Sequence, residues 1–458
     1  MEHGTTRPLH PALLDAERQP PSQATSAIDR AVQDHIAGQW RAAQAQYRTI
    51  LASEPDHAMA LHFLGVLRHQ QGHEDEGLAF VRKSLALEPQ NADWHNALGN
   101  MLSAQGQAAD AVMAFMSALE ADASHADAWN NLGALLLAQG AVEDAITALR
   151  NAVELAPSFR QAHQNLGDAY RLAGNLSAAA LCYCAEYVLR PVQDTQYDIL
   201  GLAYRQLGRN EEAAQVYQAW LEQEPGHPIA LHLLAASCGQ VVDDRASPDY
   251  LQTYFDAYAE TFEDKLVGNL GYRVPQIVHG MLSERNTPAN SLRVMDLGCG
   301  TGLCGLQLRS FSSHLAGVDL SARSLTEAER KEVYDSLHQR DIVEHLVQCE
   351  ASTWDLLTAA DVLIYFGDLT SFLAAARRAL APGGRLLASF EEAEMQAMSP
   401  EKDPGYTLQS SGRYSHHRDY LLQALQTSGF RVDEAMPLDI RHELARPVKG
   451  VLLMATAI

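Results

Sequence analysis

The chain has 458 residues, with 34 Lys+Arg against 57 Asp+Glu and a formal net charge of −23, so its long-range field repels phosphate backbones and anionic lipid surfaces and argues against nucleic acid or a membrane as partner. Its length corresponds to about two to four domains and is enough to bury a core without disulfides. The six cysteines, Cys182, Cys184, Cys238, Cys299, Cys304 and Cys349, are too sparse for a disulfide framework and lack the C-x2-C spacing of a zinc site, which points to a reducing cytoplasm and to no metal.

Residues 1–23 carry Arg7, Arg18 and four prolines without an apolar run, and are expected to be a disordered tail rather than a signal segment. From there the sequence repeats. Gly38, Gly72, Gly106, Gly140, Gly174 and Gly208 stand 34 residues apart, and Gly65, Gly99, Gly133, Gly167 and Gly201 form a second series in the same period. Ala43, Gly77, Ala111, Ala145, Ala179 and Ala213 form a third, and Pro55, Pro89, Pro157, Pro191 and Pro225 close five of the units. Such a period means helical pairs that bury their apolar faces only by stacking. Ala128 to Gly133, followed by Gly140, Ala145, Ala152 and Pro157, resembles the tetratricopeptide repeat. The resemblance covers residues 24–227 as six units, with 228–240 as a capping helix, and implies a groove for a protein or peptide. Asn131 and Asn165 share one repeat position, with Asn96, Asn100 and Asn130 nearby; their amides either grip an extended peptide or bond across the helix stack. Cys182 and Cys184 flank Tyr183 on a repeat helix and read as packing.

A polar segment at 241–249 reads as a linker between a repeat domain at 24–240 and a second domain at 250–458. In the second domain helical stretches alternate with short apolar runs, the pattern of a mostly parallel α/β sheet. Leu292 to Leu297 reads as a buried first strand, followed by Gly298, Cys299, Gly300, Thr301 and Gly302 and then a helix. A glycine-rich strand-to-helix turn lets backbone approach a ligand and offers free amide donors. The glycines alone also satisfy the dinucleotide pattern G-x-G-x-x-G. Asp296 ahead of them would oppose a pyrophosphate but suits a sulfonium and an ammonium. Asp319, ending the next strand, can accept both hydroxyls of a ribose in either cofactor.

Leu380 to Leu387, with the tail strands around Phe430 and Gly450, resembles the late strands of class I S-adenosylmethionine-dependent methyltransferases, a Rossmann-like fold with a mostly parallel seven-stranded sheet. With the repeats, the whole chain resembles bacterial predicted methyltransferases carrying N-terminal tetratricopeptide repeats, whose substrates the resemblance does not define. It implies S-adenosylmethionine as cofactor, held by Asp296, Gly298, Cys299, Gly300, Gly302, Asp319, Leu320, Asp341 and Ile342, with Asp341 beside the adenine amino group. Asp341 also reads as a helix cap. Phe255, Asp256, Tyr258 and Phe262 look like a lid helix over the cofactor, and Arg273 reads equally as a solvated charge. If the acceptor is a hydroxyl, a general base is needed; the candidates are Asp361 and Tyr365 after the fourth strand, and His416 or His417. Tyr365 reads equally as a packed aromatic.

The expected function is methyl transfer to a small-molecule, carrier-bound or protein acceptor recruited with the help of the repeats. The alternative is a repeat scaffold whose cofactor domain binds S-adenosylmethionine without catalysis; a nicotinamide oxidoreductase stands third.

Overall fold

The computed structural model describes residues 26–239, 244–259, 263, 271–393, 404–443 and 446–458. The tail at 1–23, residues 241–243 of the polar segment and Phe262 lie outside the described residues. The chain divides into two compact units, one up to Leu189 and one from Arg190 to Ile458.

The first unit is a series of helical pairs: Ala27–Ile36 (α1) with Trp40–Ser53 (α2), Ala58–Gln70 (α3) with Glu74–Leu87 (α4), Ala92–Ala104 (α5) with Ala108–Ala121 (α6), Ala126–Ala138 (α7) with Val142–Leu155 (α8), and Arg160–Leu172 (α9) with Leu176–Val188 (α10). The two glycine series have different causes. Those of the first end the leading helix of each pair in the left-handed region, with φ from 72° at Gly38 to 83° at Gly72, where a side chain is strained. Those of the second mark close helix contact: a Cβ on Gly99 would stand 2.5 Å from the Phe115 ring, and one on Gly133 would stand 2.5 Å from Leu149.

The amides settle into the stack. Asn165 donates to Asn130 at 2.9 Å, Asn130 to Asn131 at 3.3 Å, and Asn131 to Asn96 at 3.0 Å, a chain of four carboxamides across three repeats. Of the two readings of this ladder, bonding between helices is the one these contacts support. Cys182 and Cys184 are half-buried, and burial pushes the Cys182 thiol up to about 11, so neither is a reactive thiolate.

The second unit begins with three helices that continue the repeat pattern, Tyr197–Gln206 (α11), Asn210–Gln223 (α12) and Pro228–Cys238 (α13), followed by Pro248–Tyr258 (α14) and Val274–Glu284 (α15). An α/β layer follows: Leu292–Leu297 (β1), Leu303–Leu308 (α16), Ser312–Asp319 (β2), Ala322–Glu329 (α17), Ser336–Gln339 (β3), Ile342–Gln348 (α18), Trp354–Ala359 (β4), Thr370–Ala379 (α19), Leu380–Glu392 (β5), Tyr406–Leu408 (β6), Tyr414–His416 (β7), Arg418–Thr427 (α20), Phe430–Glu443 (β8) and Arg446–Ala457 (β9). Strands β3, β2, β1, β4 and β5 run parallel in that order, β9 pairs antiparallel with β5, and β8 pairs antiparallel with β9. Val294, Met295 and Leu297 are buried because helices cover both faces.

Two features differ from the sequence-based expectation. The described sheet has nine strands rather than seven, because the hairpin β6–β7, turned at Gly412, attaches through Ser415 to the end of β5 at Glu391. Its Leu408 and Tyr414 bury against Ala236 of α13. The compact boundary also falls before Arg190 instead of at 241–249. Tyr217, Trp220, Ile229 and Leu233 of the last repeat helices share one core with Tyr250, Phe366, Leu421 and the sheet. Polar ties reinforce this: the Arg205 guanidinium donates to the Ser410 carbonyl, His232 Nε2 lies 2.8 Å from the Gly412 carbonyl, and the His232 ring stacks on Tyr250 at 3.9 Å.

Candidate active site

At the carboxyl ends of the parallel strands, where strand order reverses between β1 and β4, the second unit holds a cavity of about 700 Å3, a size that takes small-molecule ligands. Three strand ends build its floor. Gly298 and Gly300 adopt φ of 64° and 53°, and a Cβ on Gly298 would stand 2.4 Å from Val362, so the loop after β1 requires glycine there. Asp319, ending β2, grips that loop: one oxygen accepts the Gly300 N–H at 2.9 Å and the other the Ser321 N–H at 2.8 Å. Burial nevertheless pushes its carboxyl above the ordinary value, and each oxygen retains further acceptor capacity. Asp296 in β1 is buried, with the Tyr334 hydroxyl donating to it at 2.7 Å and the Thr358 hydroxyl at 2.9 Å. Desolvation pushes it up to about 6, against those two hydrogen bonds.

Helix α14 closes one side. Asp256 accepts the Ser321 hydroxyl at 2.6 Å, immediately beyond Asp319 and Leu320, and the Arg323 guanidinium donates to the Asp256 carbonyl at 3.2 Å. The Phe255 ring meets Tyr365 edge-on at 5.8 Å. Asp361, at φ 58°, donates its N–H to Ser389 and pairs with Arg441 at 2.9 Å. Arg441 is 2% exposed and also pairs with Glu391 and with Glu443; Arg413 pairs with the same two glutamates. Arg413, Arg441, Glu443 and Asp361 all reach the cavity wall. This β1-loop-β2 frame, with acids at both strand ends, is where the family comparison becomes decisive. The model for a methyltransferase domain matches residues 295–386, and models for tetratricopeptide repeats match residues 37–92, 96–158, 135–194 and 195–237. The chain carries tetratricopeptide repeats and a methyltransferase domain. Ubiquinone biosynthesis O-methyltransferase from Hahella chejuensis is 29% identical over 100 residues, 21% of this chain and 42% of that protein. The mitochondrial protein of that name from Homo sapiens is 27% identical over 125 residues, 25% of this chain and 34% of that protein. The one from Cronobacter sakazakii is 23% identical over 176 residues, 37% and 71% respectively. The chain thus spans less than half the length of the first two.

Within the methyltransferase domain, Asp296, Gly298, Cys299, Gly300, Asp319, Leu320, Asp341 and Ile342 all line the cavity, as do Asp361 and Tyr365. Gly302 does not; with φ 95° it precedes α16, and its N–H donates to the Cys299 carbonyl at 2.9 Å. Asp341 caps α18, accepting the Val343 N–H at 3.0 Å and the Glu344 N–H at 3.2 Å, and pairs with Arg245 at 2.9 Å. The cap is thus formed, and the same carboxylate still faces the cavity. Tyr365 is both packed and at the wall, and burial pushes its phenol well above the ordinary value. His416 was a candidate base, but it is fully buried between Phe390 and Tyr420, with Nε2 3.2 Å from the Gly367 carbonyl, and it is not part of the cavity wall. Burial pushes it down to about 4. Its place in the hairpin core, which sequence alone did not reveal, removes it from that role. Arg273 is exposed at the start of α15. Tyr334, Thr358, Arg413 and Arg441 were not foreseen as site residues.

No helix among the described residues is long and apolar enough to cross a membrane, and no group of three or more His, Cys, Asp or Glu among them could hold a metal ion.

Proposed function

We propose that this chain transfers the methyl group of S-adenosylmethionine to a hydroxyl-bearing acceptor, in keeping with the O-methyltransferase names of its relatives. The observation that carries this reading is that buried Asp296 and half-buried Asp319 flank a glycine loop and line one cavity with Asp361. Acids lining the cavity from Asp296 to Asp361 would repel a pyrophosphate, whereas the same acids favour a ligand bearing a sulfonium and an ammonium. In this reading Asp319 accepts the ribose hydroxyls, Asp296 faces the amino-acid end, and Leu320 and Ile342 cover the adenine. The bound cofactor supplies an electrophilic methyl.

The chain's own part is orientation, water exclusion and proton acceptance. Orientation and solvent exclusion account for up to about 7–11 kcal/mol of barrier reduction. Asp361, paired with Arg441 at 2.9 Å, accepts the proton of the acceptor hydroxyl; Tyr365, whose phenol burial keeps protonated, can hydrogen-bond the acceptor without taking its proton. The repeats of the first unit recruit a protein or peptide that delivers or regulates the acceptor, in a cytoplasmic setting.

Isothermal titration tests the cofactor. S-adenosylmethionine should bind and NADH should not, and Asp319→Ala should weaken S-adenosylmethionine by about 10–100-fold, the equivalent of roughly 1.5–3 kcal/mol for a hydrogen bond to a charged group. Wild-type affinity in that variant would reject the ribose assignment. Product turnover with an acceptor library separates an enzyme from a scaffold that only binds cofactor.

The pH dependence follows from Asp296. Its carboxyl is raised to about 6 in the free protein, so at pH 5 most of it is protonated, whereas a cationic ligand favours the ionised form. S-adenosylmethionine affinity should therefore rise about tenfold between pH 5 and pH 7 with release of a proton, and Asp296→Asn should flatten that dependence. An affinity that falls over the same range would contradict the assignment.

A further inference from the structure

Leu200, Gly201 and Ala203 of α11 are buried, whereas Ile199 and Leu202 on the same helix are 41% and 42% exposed. These two lie three residues apart on one face, and that face forms part of the wall of the cavity that contains the glycine loop. The same lining contains Leu251, Tyr254 and Phe255 of α14 and Ile364 and Phe366 after β4. Asp296 and Asp319 lie at the ends of β1 and β2 and Asp341 at the N-cap of α18, whereas α11 and α14 line the cavity with five apolar or aromatic side chains and with Gln196 and Asp198 as polar members. Apolar side chains left open to a cavity continuous with a cofactor loop call for an apolar ligand part.

We propose that α11, the first helix of the sixth repeat, is a wall of the acceptor subsite, with Ile199 and Leu202 as specificity-determining residues that contact an apolar body carried by the methyl acceptor. This rests on the methyl-transfer reading above and adds the acceptor class: an amphipathic molecule whose hydroxyl lies toward Asp361 and whose hydrocarbon part lies along α11. The sixth repeat then acts as part of the catalytic unit, distinct in role from the five pairs of the first unit. Both side chains are half in the open, so replacing them removes ligand contacts and leaves the buried face of α11 intact.

The test uses the full-length chain and two probes, phenol and 4-hexylphenol, in isothermal titration with and without saturating S-adenosylhomocysteine. The wild type should bind 4-hexylphenol at least tenfold more tightly than phenol. Ile199→Asp combined with Leu202→Asp should reduce that preference to within about threefold, while the affinity for S-adenosylhomocysteine stays unchanged. Ile199→Val with Leu202→Ile should restore the preference, and Leu231→Asp, at an exposed leucine of α13 outside the cavity wall, should leave it intact. An undiminished preference in the double Asp variant, an equal loss in Leu231→Asp, or no preference for 4-hexylphenol in the wild type would each overturn the proposal. Failure of the wild type to bind S-adenosylhomocysteine would instead reject the methyl-transfer reading, and the phenol series without it would still report on the α11 wall.

Discussion

A fragment starting at residue 249 should fail to fold, whereas one starting at Arg190 should melt cooperatively and bind S-adenosylmethionine. The two differ by α11, α12 and α13. Tyr217 is 0% exposed, Leu233 5%, and Trp220 and Ile229 9% each, all in the core shared with Tyr250, Phe366 and Leu421. Burying a large apolar side chain contributes about 1.5–3 kcal/mol, so loss of these four partners removes several kcal/mol from a domain whose net stability is about 5–15 kcal/mol. The cut also opens the faces of Tyr250, Leu408 and Tyr414 that α13 covers. Far-ultraviolet circular dichroism with a thermal melt reads the outcome. A sharply melting 249–458 fragment would show that the sixth repeat merely rests on the α/β layer, and limited proteolysis should then cut at 241–249; on the present reading the favoured cut lies near residue 190.

The contrast between the two halves shows what a sequence can reveal. A period of 34 is local and repeated, so the helix pairs, their left-handed glycines and their close helix crossings could all be read from spacing. The frame of the candidate site was legible for the same reason: Asp296, the glycines and Asp319 lie within one strand-loop-helix-strand passage, and all but Gly302 line the cavity. The domain boundary was not, because the repeat continues without interruption through Gly208 while the packing partner of its last helices changes from another repeat to a sheet. The far wall of the cavity was equally hidden. Arg441 comes from an edge strand and reaches Asp361 over a separation of 80 residues, Arg413 comes from a hairpin and joins the same wall through Glu391 and Glu443, and no short motif marks either. His416, a candidate base beside His417 in the sequence, is buried by the pairing of β7 with β5 and β6, which no local pattern marks.

Arg441→Met should be the most damaging single substitution in the second unit. The guanidinium, 2% exposed, bonds Asp361, Glu391 and Glu443, and Glu391 is itself buried. Removing it leaves Glu391 and Glu443 paired with Arg413 and takes the Arg441 ion pair from Asp361, and breaking a buried ion pair from one side costs about 3–5 kcal/mol. For a unit of this size that corresponds to a fall in Tm of roughly 10 °C. The pH signature distinguishes lost charge pairing from lost packing. Burial raises Glu443, but Arg413 and then Arg441 outweigh it and hold its carboxyl below the ordinary value, so in the wild type this pairing stabilises above the unfolded value near 4.5 and is lost as pH falls through the folded one. In Arg441→Met the carboxylates take up protons more readily, so the deficit relative to wild type should shrink as pH is lowered from 7 to 5. Adding Glu391→Gln should recover part of the lost Tm, because it removes the most deeply buried of the three carboxylates that lose Arg441 as a partner. A deficit independent of pH, or no recovery in the double variant, would mean that Arg441 acts through the packing of its stem and not through its ion pairs.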